Sequence, residues 1–112
     1  MGNTVRLTIF LRHDQTKNLD QIDDILFENG FWTKFPPEGT KIISWQVLMG
    51  IGQVVTLEMP PELVRPVNVA IEQMAWGPFR TEFYLTYDFM PVLEKKRAEA
   101  KQRYNGGQIC EL

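Results

Sequence analysis

A lone histidine, His13, and the segment Trp76-Gly77-Pro78-Phe79-Arg80 carry the residue types best suited to chemistry. Imidazole changes charge near neutral pH and suits general acid–base transfer. A guanidinium can hold a carboxylate through two parallel hydrogen bonds, which is the chemistry open to Arg80. Glu72 lies one helical turn before Trp76 and becomes a stronger base if it is buried. Trp76 offers a flat apolar wall. Tyr87 and Trp45 add an aromatic hydroxyl and a second indole that could line a substrate pocket. Each residue also has a plainer role. His13 could cap a helix at a strand end, Arg80 could pair with Glu82, Asp14 or Glu72, and Glu72 could be solvated. Trp45 could simply be core. Asp14 either orients the imidazole or opens a turn with Thr16 and Asn18, and turn chemistry favours the second.

These residues must be positioned by regular elements. Val5 to His13 alternates, with Val5, Leu7, Ile9, Leu11 and His13 on one face, which predicts a strand. Asn18 with Gln21 reads as a capping box opening a helix over about 19–29, and Gly30 as its stop. Residues 31–39 read as a connection. Lys41 to Met49 and Gln53 to Met59 form a hairpin around Gly50-Ile51-Gly52. Pro60-Pro61-Glu62 opens a second helix with its stripe at Val67, Ala70, Ile71 and Met74, and Pro66 should distort an early turn or mark the true start. Thr81 to Phe89 is expected as the fourth strand. A polar helix follows from Glu94 to Tyr104, ended by Asn105-Gly106-Gly107 and a frayed tail.

The order βαββαβ predicts an α+β, ferredoxin-like sandwich with sheet order 4-1-3-2 and both helices on one face. Residues 1–90 form this domain, and residues 91–112 form a polar C-terminal helix and tail. The helices should cover Leu7, Ile9, Leu11, Phe83, Leu85, Trp45 and Val47. The end of the first strand should then meet the start of the fourth, so His13, Arg80, Trp76 and the Gly50 hairpin converge at one pole. The opposite sheet face mixes Arg6, Phe10, Arg12, Val54, Glu58, Glu82 and Tyr84. Apolar groups interleaved with opposite charges suit a face covered by a second copy, which predicts a homodimer through that face.

In length, in element order, and in Trp45-Gln46-Val47 followed by Gly50 and a strand ending at Met59-Pro60, the chain resembles the dimeric α/β-barrel superfamily. Its muconolactone-isomerase-like members are the nearest in flavour. The likeness covers about residues 4–90 and includes the helix end near Phe79. It implies a metal-free isomerase acting on an apolar or aromatic-derived acid or lactone, by proton transfer next to a carbonyl. His13, Arg80 and Glu72 would be the catalytic candidates. Trp76, Tyr87 and Trp45 would be the substrate-binding ones. A cofactor-free monooxygenase is the sibling possibility, and a non-enzymatic dimer binding a ligand or partner is the alternative from another class.

Composition narrows the field. At 112 residues, 44% hydrophobic and 23% charged, the chain can bury one core. A net charge of -2, with no basic patch carrying interleaved aromatics, gives no reason to expect nucleic acid. The charge is uneven. Residues 1–90 hold seven basic and eleven acidic side chains, and residues 91–112 hold five and three. No 18-residue apolar run predicts a membrane span, and no signal-peptide pattern opens the chain. Cys110 is the only cysteine, which fits a reducing, cytoplasmic setting. One histidine and one cysteine do not make a zinc site. Gly50-Ile51-Gly52 lacks the strand–helix context of a dinucleotide loop. No Gly-x-Ser-x-Gly elbow exists. A haem role would need His13 as axial ligand. No cofactor or metal is expected.

Overall fold

Strict alternation from Val5 to His13 produces the central strand of the molecule, β1 (Val5–His13). The structure, a computed structural model, describes residues 3–105. Leu7, Ile9 and Leu11 are buried on one face of β1, while Arg6 is exposed on the other. Helix α1 (Leu19–Asn29) starts as the capping box requires: Asn18 Oδ1 accepts from Gln21 N–H, and Gln21 Oε1 accepts from Asn18 N–H, both at 2.8 Å. Gly30 ends it in the left-handed conformation at φ 76°, a geometry glycine adopts without steric cost.

The expected loop after Gly30 begins instead with a helical turn, α2 (Phe31–Lys34). Phe31 is fully buried there and is the hub of an aromatic cluster. It stacks on Phe35 at 5.0 Å and meets Trp32 and Trp45 edge-on at 5.0 and 6.1 Å. Burial of so large a side chain overrides the loop reading that Pro36, Pro37 and Gly39 suggest. The hairpin of β2 (Lys41–Leu48) and β3 (Gly52–Met59) follows, with an irregularity between Ile42 and Ser44. A 3₁₀ turn over Pro61–Leu63 leads into α3 (Val64–Met74), so Pro66 falls in the first helical turn, where its missing N–H costs little. Val67, Ile71 and Met74 are the buried stripe of α3.

The last strand, β4 (Phe79–Thr86), begins two residues earlier and ends three earlier than the alternation suggests. Phe79 is buried, and its N–H bonds to Ala75 O, which folds the start of the strand onto the end of α3. Helix α4 (Met90–Asn105) starts earlier than expected, with Pro91 in its first turn and Asp88 Oδ1 accepting from Met90 N–H. The expected stop at Gly106-Gly107, the tail and Cys110 lie outside the described residues.

The sheet is α+β in character and antiparallel throughout, with order β2-β3-β1-β4, which reads 4-1-3-2 from the other edge. Its core, between sheet and helices, gathers Leu7, Ile9 and Leu11 with Val55, Leu57 and Met59, and with Ile22, Leu26, Val67 and Ile71 from above. Each such side chain contributes about 1.5–3 kcal/mol on burial. Two expected core positions are not core. Val47 lies toward the β2 edge, and Leu85 is 65% exposed, because no helix reaches that end of β4.

Candidate functional site

β1 and β4 run antiparallel, so their register decides what meets at the pole. Arg12 lies opposite Arg80, and His13 opposite Phe79. Backbone bonds pin two further segments to the end of β1. His13 N–H donates to Ile51 O at 2.8 Å, and Asp14 N–H donates to Pro78 O at 3.0 Å. The hairpin tip, the α3–β4 connection and the β1 end therefore form one rim. Rigid strand ends hold its side chains, as sites on scaffolded loops require.

Two adjoining hollows open on this rim. The larger, about 450 Å³, is lined by Asp14, Trp76, Gly77, Phe79, Arg80 and Thr81. The smaller, about 380 Å³, is lined by Arg12, His13, Asp14, Gln15, Ile51 and Arg80. Arg80 and Asp14 belong to both and stand between them. Each hollow is of the size that takes a small organic ligand. Trp76 is 67% exposed at the mouth of the first. The His13 ring stacks on Phe79 at 5.7 Å, with 19° between planes, so a buried aromatic fixes one face of the imidazole.

Charge on the rim is unbalanced. Arg12 and Arg80 are direct cross-strand neighbours on the face away from the helices, an arrangement that repels unless an anion lies nearby. Arg12 Nε reaches Glu82 Oε1 at 3.4 Å, a long contact between half-exposed groups. Arg80 makes no ion pair among the described residues. Asp14 does not compensate it. Its Oδ2 accepts from Lys17 Nζ at 2.8 Å, and its Oδ1 accepts from Thr16 N–H and Oγ1 at 3.0 and 2.8 Å. The Lys17 hydrogen bond first, then those from Thr16, hold the Asp14 carboxyl down at about 2, below its ordinary 3.8. The carboxylate thus shapes the β1–α1 turn, and it makes no hydrogen bond to the His13 ring.

Of the candidates, His13, Arg80 and Trp76 share the rim. Three do not. Glu72 is exposed on α3 and lines neither hollow. Tyr87 lies beyond β4 at the opposite pole, near Thr4, Arg6 and Glu58, and is 85% exposed. The fourth strand ends at Thr86, which puts the tyrosine outside the sheet. Trp45 packs on Phe31 and Phe35 beneath α2, and its Nε1–H donates to Gln53 Oε1 at 2.7 Å, so its polar edge is already satisfied. Arg12, expected only on the sheet face away from the helices, also reaches the rim. The expected meeting of the two strand ends becomes, through the β1–β4 register, a direct opposition of Arg12 and Arg80. No family model, curated protein or solved structure matches the chain.

Proposed function

We propose that the rim binds a small apolar or aromatic-derived acid or lactone and isomerises it by metal-free proton transfer next to a carbonyl. The observation that carries this reading is the cross-strand pair Arg12 and Arg80, with Arg80 in no ion pair among the described residues and beside the exposed indole of Trp76. A ligand carboxylate between the two guanidiniums relieves their repulsion, and the indole packs against an apolar body. His13 borders the second hollow, on the other side of Arg80. There its imidazole would take a proton from the carbon beside the carbonyl and return it to a second carbon, while a guanidinium stabilises the developing enolate oxygen.

The same chain acts as a homodimer in this reading, joined through the sheet face opposite the helices. Phe10 and Tyr84 meet edge-on there at 5.9 Å, and the Arg6–Glu58 and Arg12–Glu82 pairs flank them within one chain. An apolar centre with a charged border is the usual anatomy of a recognition surface.

The test is titration of benzoate and of neutral benzamide into the full chain, followed by tryptophan fluorescence and calorimetry. Benzoate should bind, benzamide should not, and Arg80→Ala should weaken benzoate at least tenfold with the fold intact. Turnover is read as solvent deuterium entering carbon beside a carbonyl in a set of unsaturated acids and lactones, and His13→Ala should abolish it. Equal binding of the acid and the amide, or full activity of both variants, rejects these roles. A second reading is ligand binding without turnover. The open mouth at Trp76 and the engagement of Asp14 with Lys17, rather than with His13, favour it. Tight benzoate binding with no exchange in any acid would establish it.

A further inference from the structure

The radius of gyration is 19.6 Å and the longest extent 64 Å, where a compact chain of this length has a radius of about 13 Å. Helix α4 accounts for the excess. Its 16 residues span about 24 Å, and from Met90 to Tyr104 every side chain is exposed except Leu93, which is half-buried. An isolated helix of that length is marginal in water, and this one has no apolar stripe of its own to bury. Its root, however, is apolar: Phe89, Met90 and Val92 are exposed.

The body meanwhile lacks a cover. At the β4 edge, on the helix side, a hollow of about 430 Å³ is lined by Leu7, Pro61, Val64, Arg65, Asn68 and Phe83. Leu85 continues the same face of β4 beyond Phe83 and is bare. The element that follows β4, and that would close this edge in a compact domain, instead projects away from it.

We infer that α4 of each copy closes the β4-edge hollow of a second copy, an exchange of arms in a symmetric dimer. Met90 and Val92 of one copy would lie over Leu85 and Phe83 of the other, a self-complementary contact of the kind two-fold symmetry produces. Charge agrees with the fit. Arg65 borders the hollow and makes no ion pair among the described residues, and Glu94 follows the apolar root of the arm. The arm exchange rests on the homodimer proposed above but uses a different surface of the chain.

Mixing variants tests it. Leu85→Asp spoils the hollow and Val92→Asp spoils the arm, and both positions are exposed, so neither change should unfold the body. Each variant alone loses both exchanged contacts, and its dimerisation should weaken roughly a hundredfold, read by analytical ultracentrifugation. Mixed, the intact arm of the first fits the intact hollow of the second. Mixed dimers should then appear in native mass spectra at concentrations where each variant alone is monomeric. If mixing yields no dimer while both variants alone are monomers, the arm folds back on its own body or the change acts elsewhere, and the exchange is overturned. If both variants dimerise like the parent chain while Phe10→Asp abolishes dimers, the sheet-face reading stands and the exchange falls. A parent chain that is monomeric at 100-micromolar order overturns both.

Discussion

Gly52 is the residue on which the rim depends most directly. It pairs with Arg12 in the ladder at φ 155°, and a β-carbon placed there would lie 1.9 Å from the Leu11 carbonyl oxygen and 3.1 Å from the Arg12 α-carbon. Both are backbone atoms of the central strand, so no side chain can move aside. In Gly52→Ala, β1 and β3 must separate by more than 1 Å where they hold the site. The ladder end at Arg12 and the His13–Ile51 bond of 2.8 Å are then lost or stretched, about 1 kcal/mol each. The backbone strain adds about 1–3 kcal/mol. The expected destabilisation is about 3–5 kcal/mol, a fall in Tm of about 12–20 °C for a chain of this size. Gly50→Ala is the control. It has φ 78° with open space around it, so only the left-handed strain of about 1–2 kcal/mol applies. Urea unfolding followed by tryptophan fluorescence measures both. A Gly52→Ala variant no less stable than Gly50→Ala refutes the close-approach argument and, with it, the view that Ile51 is clamped to His13.

Two further outcomes follow from local geometry. The Asp14 carboxyl titrates near 2 in the folded chain, against about 4 unfolded, so its contribution to stability is fully present above the unfolded value and fades as pH falls through the folded one. The stability difference between the parent chain and Asp14→Asn should therefore be constant above about pH 5 and shrink between about pH 4 and 2, as acid–urea unfolding would show. A difference independent of pH across that window contradicts it. Asn18→Ala removes the side-chain half of the capping box and should cost about 1 kcal/mol in urea unfolding, with the Asn18→Gly variant closer to the parent.

Local signals were legible in the sequence wherever one residue type solves one local problem. Asn18 and Gln21 satisfy the free N–H groups of a helix start, and Gly30 supplies the left-handed stop. The alternation from Val5 to His13 needs a sheet with one wet face. Those requirements are met within a few residues, so α1, β1 and the βαββαβ order could be read without coordinates. The convergence of His13, Trp76 and Arg80 was also legible, because antiparallel neighbours must bring opposite ends together.

What the tertiary structure decided concerns burial and register. Phe31 turns a proline-rich connection into a helical turn, because filling the gap beneath Trp45 outweighs the local signals for a loop. Phe79 is drawn onto Ala75, which moves the start of β4 and sets Arg80 against Arg12. The strand ends at Thr86, and its antiparallel run carries Tyr87 to the pole opposite His13. Leu85 and Val47 alternate as core residues should, yet no helix extends over them, and alternation cannot report where a neighbouring helix stops. Residue types and spacing thus determine which groups could act. Packing determines which of them meet, because register is settled by contacts between segments far apart in the chain.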